Sequence, residues 1–510
     1  MDNVRKYLTM KRFIFAPILL STFLVLFTVS SLKAQNRLDV LRYSDMQPGN
    51  GPLNLSLGGV GVSDALGFGS VVQNPATAAM FNKNLISINL GTRKVSEDAN
   101  YYDQMNLTSG TQINYLSKNN SFSDNQTGIA SGGMAYKVPT LQGSFVIGAS
   151  YNRIADFNQA YSVDAFNPNN TITDYFAQNS DYQNIGYESY ALDTTATGSY
   201  IPVLREVPGG YQGINQHAQV TERGKMGEIS LFGATEFQKN VYLGASLVFP
   251  VGKYSYHRLF LEQDLKNLYS TFPTDVQYIN SSDNIDATIG GFYARFGFVY
   301  KVSPLVNIGA SYQTRSRLTV KENYNSSITV KFKDSNNPES TKSSPGSITY
   351  KVHSPGRLRV GVTLNSPAKL VTFHGQLEYV DYKQSSLTGF PSGYSQQQYD
   401  INQGILSDFR PVLNYQAGLE AHFGNINPEV GFAYYPSPRR SFKIDKKYLS
   451  GGVTLKMNDM VALDLGVQYS FWNGQDQLYT VQYSDNTTDN LIATQKVHHL
   501  TAMAGFRVMF

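Results

Sequence analysis

The sequence predicts an all-β fold, a transmembrane antiparallel β-barrel of about fourteen strands with an N-terminal plug inside the lumen. Three observations carry that expectation. The last eleven residues alternate strictly and stop on an aromatic side chain, Phe510. Many other segments share the same period of two. The connections between them alternate between short and long, which is the pattern of a barrel whose two termini lie on one side.

The chain opens with Arg5, Lys6, Lys11 and Arg12, an apolar stretch over 13–29, and Ala34 just before Gln35. This arrangement resembles a secretory signal peptide, so 1–34 is expected to be removed near Ala34/Gln35. A retained anchor is the alternative, because about 17 to 25 apolar residues can span a bilayer. Loss of the leader takes away five cations and one anion, so the net charge of +4 becomes a mature chain near neutral. Nothing in that balance suggests a nucleic-acid surface. A mean hydropathy of −0.29 would ordinarily suggest a soluble protein. A barrel evades that test because every second residue faces water or the lumen. The 35 Tyr and 29 Phe supply interfacial aromatics, and zero Cys excludes disulfides, thiolate catalysis and cysteine metal sites.

Residues 35–84 show no strand alternation, and 85–510 read as the barrel. Its clearest strands include Val461, Leu463, Leu465 and Val467 against Ala462, Asp464, Gly466 and Gln468. Another sets Leu413, Tyr415, Ala417 and Leu419 against Asn414, Gln416, Gly418 and Glu420. In the last strand Leu500, Ala502, Ala504, Phe506, Val508 and Phe510 form the lipid face, while the other face carries Arg507 toward the lumen. Short turns fall near 139–142, 238–240, 301–304, 365–367, 424–427 and 458–459. Between them lie longer connections, 92–129, 158–226, 259–286 and 386–408, read as outer loops. A terminal Phe510 resembles the signal by which bacterial outer-membrane proteins reach their assembly machinery, an expected partner alongside membrane lipid and lipopolysaccharide.

Within 35–84 lies a glycine-rich run, Ser56-Leu57-Gly58-Gly59-Val60-Gly61-Val62, then Phe68, then Asn74-Pro75-Ala76 and Met80-Phe81. Asn74 caps and Pro75 starts a short helix expected to run through Met80. The segment is too apolar for a loose tail and reads as a plug. These motifs resemble the N-terminal hatch of FadL/TodX-type outer-membrane transporters of hydrophobic compounds, barrels of fourteen strands. The motif likeness covers the hatch; the remainder matches by size and strand number.

The resemblance implies passive, monomeric transport of long-chain fatty acids or similar apolar compounds, with no cofactor. The ligand would be caught by outer loops, pass a hatch-gated pocket, and leave sideways where the third strand kinks. The residues that fit such a path are Gly58, Gly59, Gly61, Asn74, Pro75 and Ala76 in the hatch motif. Leu57, Val60 and Phe68 are candidate ligand contacts. Asn152 and Arg153 interrupt the apolar face of the third strand and mark a candidate exit, although an arginine there also suits the headgroup zone, which is the favoured reading. Arg295, Arg357, Arg359, His374 and Glu378 are expected to face the lumen, where an Arg could hold a carboxylate. Charges inside a barrel more often pair with one another.

No catalytic or metal site is expected. His498 and His499 are neighbours on a strand and point to opposite faces, and no Ser–His pair stands in a recognisable nucleophile context. Two other roles remain: an accessory barrel similar to the PorV-type components of type IX secretion, which bind protein cargo, and a general diffusion porin.

Overall fold

The computed structural model describes residues 37–107, 110–271, 274–334 and 339–510. The expected leader, 1–34, lies outside the described residues. Among the described residues no helix is long and apolar enough to cross a membrane.

The wall is a closed barrel of fourteen antiparallel strands. In chain order they are Leu85–Leu107, Gly110–Val138, Phe145–Asp156 continued by Gln159–Asn167, Ile214–Gln238, Val241–Gln263, Val276–Ser303, and Val306–Gln313 continued by Ser316–Phe332. The eighth is Ser340–Ser354 continued by Arg357–Asn365, and the ninth Val371–Asp381 continued by Ser386–Thr388. Pro411–Ala421, Ile426–Tyr435, Lys446–Lys456, Val461–Gln482 and Thr488–Met509 complete the circuit. The first and last strands pair from Leu85 opposite Met509 to Asn106 opposite Thr488, which removes both sheet edges. Asn84 and Phe510 exchange backbone hydrogen bonds of 3.0 and 3.2 Å, so the chain end locks onto the start of the wall.

Side chains sort as a period of two requires. Ile86, Ile88 and Leu90 point outward on the first strand, as do Leu500, Phe506 and Phe510 on the last. Arg507 points inward and meets Asp464 at 2.5 Å. A closed wall with an apolar outer belt satisfies ladder hydrogen bonds between neighbouring strands, which is the condition for strands in hydrocarbon.

The long connections are shorter than the sequence suggests. The segment 92–129 is not a loop but the upper part of the first two strands, paired as far as Leu107 opposite Gly110. Strand pairing likewise runs into 158–226 and 259–286. The apolar alternation stops where lipid stops, but backbone pairing does not depend on it. Beyond the belt, Asn, Ser and Thr take both faces and hide the strand from a hydropathy reading. The true loop at 168–213 holds two helices, Ile172–Gln178 and Ser180–Glu188, packed over the mouth. Thr171 and Asp174 form a capping box on the first of these.

The hatch carries helices α1 (Arg37–Ser44), α2 (Pro52–Ser56) and α3 (Phe68–Gln73), and a 3-10 turn over Pro75–Met80. Asn74 caps that turn, its Oδ1 accepting from Ala76 N at 3.0 Å. Its Nδ2 donates to Val62 O at 2.6 Å and to Phe298 O of the wall at 2.9 Å. The wall meets the hatch with glycine. A Cβ at Gly297 would strike Asn74 Oδ1, one at Gly309 the carbonyl of Val62, one at Gly431 the amide of Gly58, and one at Gly466 the carbonyl of Pro52. Gly58 itself stands at φ +71°, a conformation that favours glycine.

Gly309→Ala or Gly431→Ala is therefore expected to destabilise the folded protein by about 1–3 kcal/mol through overpacking. Gly290→Ala, where a Cβ meets nothing within 4 Å, should be neutral. Denaturation followed by heat-modifiable gel migration checks all three.

Candidate functional site in the lumen

The third strand leaves its neighbour part-way up the wall. It pairs with the second strand only from Phe145 opposite Val138 to Asn152 opposite Ser131. Beyond that it follows the fourth strand alone, through an irregularity between Arg153 and Ala155 and a break before Gln159. Ile154, Ala155 and Phe157 turn into an apolar cluster with Val40 and Tyr43 of α1.

The hatch takes up the carbonyls released by this departure. Gln47 N donates to Ile154 O at 3.0 Å. Gln47 Nε2 donates to Asp156 O at 3.2 Å, and Asn50 Nδ2 to Arg153 O at 3.2 Å. Arg153 faces inward and is 6% exposed, so it does not reach toward a headgroup. Its guanidinium lies 3.5 Å from Asp156, which Arg93 also approaches at 3.5 Å. On the outside, Arg223 of the fourth strand bridges back to Asp124 of the second through two bonds of 2.8 and 3.0 Å.

The lumenal arginines are paired as well. Arg357 and Arg359 share Glu378 at 2.9 and 2.6 Å, and Arg357 also donates to Ser44 O at the end of α1. Asn414 donates to the same carboxylate at 2.9 Å. Arg295 meets Glu228 at 3.2 Å and Gln313 at 3.2 Å. His374 Nδ1 lies 3.1 Å from Thr363, apart from the others and lower in the barrel. Five guanidiniums, those of Arg93, Arg153, Arg295, Arg357 and Arg359, thus share three carboxylates, those of Asp156, Glu228 and Glu378.

Arg295, Arg359 and Glu378 line, with Gln47 and Ile154, a cavity of about 20 Å³. That holds one water but not an organic ligand, which needs several hundred Å³. Hatch and wall side chains meet closely around this cavity. Leu57 and Val60 pack with Leu53 and Leu66 inside the hatch, and Phe68 packs against Phe81 and Phe232 of the wall. None of these three borders the cavity. A depression of about 730 Å³ lies on the outer wall, floored by Ala310, Gly375 and Ala417 among outward Phe298, Phe373 and Phe432. It faces the lipid side.

Sequence alternation placed the arginines and Glu378 inside, but did not name Glu228 or Asp156 as partners. Glu228 stands at an inward position of a recognised strand and was legible from parity. Asp156, Gln47 and Asn50 lie where the alternation breaks or in the hatch, and carry no periodic signal.

No protein-family model matches the chain, and no curated relative is found. Solved structures do match. A Pseudomonas aeruginosa FadL homologue is 12% identical over 90% of this chain and 98% of its own, with a TM-score of 0.52. The deltaS2S3 mutant of TodX, a monoaromatic hydrocarbon channel, is 11% identical over 91% of this chain and 99% of its own, with a TM-score of 0.50. The fold is that of the FadL-type barrels. Strand number, closure and an N-terminal segment in the lumen all agree with it.

Outside the membrane-spanning wall, Asp408 at the end of a loop helix, Ser395–Asp408, ties the mouth together. It accepts from Arg439 at 3.1 Å and from Ser441 N at 2.8 Å, and lies 3.5 Å from Arg37 of α1. Burial pushes its pKa up, but the Ser441 bonds and Arg439 outweigh this and hold it below the ordinary aspartate value.

A lowered folded pKa stabilises above the unfolded value, about 3.9, and that stabilisation is lost as pH falls through the folded one. Wild-type protein should therefore lose protection of the mouth from protease as pH drops below about 4, while Asp408→Asn should be already open at neutral pH and change less. Glu378→Ala, which leaves Arg357 and Arg359 buried without an anion, should cost about 3–5 kcal/mol, read by denaturant unfolding.

Proposed function

We propose that the protein is an outer-membrane channel for passive uptake of hydrophobic molecules, releasing them sideways between the second and third strands. The observation that carries this reading is the wall's own interruption, where ladder pairing ends after Asn152 and hatch residues replace it. A displaced hatch would free both the lumen and the strand that borders the gap. Guanidiniums beside an apolar cluster favour an amphiphile with an acidic head, such as a long-chain fatty acid, over a neutral hydrocarbon. The apolar outer belt and the fold of its structural neighbours support outer-membrane placement. The residues in play serve binding and gating, not catalysis.

One observation favours a second reading, an accessory barrel that binds a secreted protein: the outer connections pack together through a large apolar cluster.

The chain has no Cys, so Asp124→Cys with Arg223→Cys gives a unique pair across the gap. Joined by a short bismaleimide, it should abolish uptake of radiolabelled oleate while the unjoined variant retains it. Uptake that survives the crosslink sinks lateral release. Absence of uptake in wild type, with co-purification of an exported protein, would favour the accessory barrel.

A further inference from the structure

The outer wall carries a row of cations that the transport reading does not use. Backbone register places Lys225 directly opposite Lys253, Lys253 opposite Thr288, Thr288 opposite Lys321, and Lys321 opposite Thr349. Lys253, Thr288, Lys321 and Thr349 face outward, since Tyr254, Ala287, Val320 and Tyr350 beside them are buried on the inner side; the Lys225 ammonium instead reaches across the gap to Gly128 of the second strand. One row nearer the membrane, Lys351 stands beside Thr319, and Arg317 follows beyond it. Immediately below begins the apolar belt, with Ile229, Val251 and Phe292 exposed at 44%, 41% and 63%. The row thus sits at the loop-side rim of the belt.

Like charges directly opposite across two strands repel, and neighbouring strands are only about 5 Å apart. Among the described residues no ion pair relieves Lys225, Lys253, Lys321, Lys351 or Arg317. One acid, Asp286, faces outward a row farther from the belt and pairs with neither flanking lysine. Gly290, between Val251 and Thr319, leaves open space on the wall beneath the lysines. Uncompensated cations spaced along a shelf above hydrocarbon complement one kind of partner, an anionic headgroup whose acyl chains lie on the belt below. The loop-side rim faces the outer leaflet if the protein lies in the outer membrane as proposed above; transport plays no part in the argument.

We propose that Lys253 and Lys321, with Lys225 at the edge of the gap, form a docking row for the phosphates of lipopolysaccharide, with Lys351 and Arg317 supporting it from below. The lipid neutralises the row and seals the wall beside the gap in the third strand.

The test compares the full-length barrel with Lys225→Gln/Lys253→Gln/Lys321→Gln, both extracted in mild detergent. Bound lipopolysaccharide is counted by mass spectrometry, and the thermal midpoint is measured with and without added lipopolysaccharide. Wild type should retain the lipid and gain stability from it. The triple variant should lose affinity on the order of 100-fold, from about fivefold per lysine near an anionic surface. The corresponding Lys→Arg triple variant should restore it, and inorganic phosphate alone should shift neither protein. Equal retention by wild type and the Gln variant would overturn the proposal, as would equal loss from a Lys94→Gln/Lys496→Gln control on the opposite side of the gap. If the Gln variant fails to assemble, the wild-type midpoint decides: no gain with lipopolysaccharide over a neutral lipid overturns the site.

Discussion

The hatch backbone is confined inside a closed wall, and the rest of the structure depends on how its polar groups are satisfied there. A buried amide or carbonyl without a partner costs about 1–3 kcal/mol, and the wall's own ladder bonds are already spent on neighbouring strands. Inward side chains therefore serve the hatch. Gln376 Oε1 accepts from Gly61 N and Val62 N at 3.0 and 3.1 Å. Ser311 donates to Gln73 O at 2.6 Å, and Ser144 to Ala79 O at 2.6 Å. These short side chains reach only because glycines at Gly297, Gly309 and Gly431 let the two backbones approach. Wall composition and hatch composition are one constraint, and neither makes sense without the other.

Electrostatics follows from the same confinement. A guanidinium inside a narrow barrel cannot be left to bulk water, so each lumenal arginine has a carboxylate or carbonyl within reach. Glu378 serves two at once, with Asn414 completing its coordination. Such sharing holds the wall, the hatch and the charge together, since Arg357 also reaches Ser44 of α1. An anion entering here would compete with Glu378 for guanidiniums that are already oriented. That competition gives a ligand carboxylate a way to loosen α1.

The barrel was legible because lipid imposes a period of two on every strand that crosses it. Leu500 to Phe510 shows this without ambiguity, and Asn74 with Pro75 announced the hatch turn for local reasons, a cap followed by a residue that needs no donor. The segments above the belt were not legible. In 92–107 the inner face is buried but mixes Arg93, Glu97 and Asp103 with Val95, Ala99 and Tyr101, so the hydropathy contrast between faces is lost although strand pairing continues. The site was half visible: parity put Arg295 and Arg359 inside, but which carboxylate lies opposite depends on register between strands, and register is not written in either strand alone. Wall glycines at Gly309 and Gly466 carry no signal of their role, because their partner, the hatch, is distant in sequence.

The third strand joins these themes. Its carbonyls at Arg153, Ile154 and Asp156 have left the ladder with the second strand and depend on Gln47 and Asn50. Withdrawing that part of the hatch would strand three acceptors, unless water enters or the strand itself rearranges. Opening of the lumen and rearrangement at the gap are thus energetically linked through hydrogen bonds, with no need for a long pathway. A ligand that binds only when the hatch has moved shifts the pair together, and it need supply only the difference between the hatch bonds broken and the solvent bonds gained.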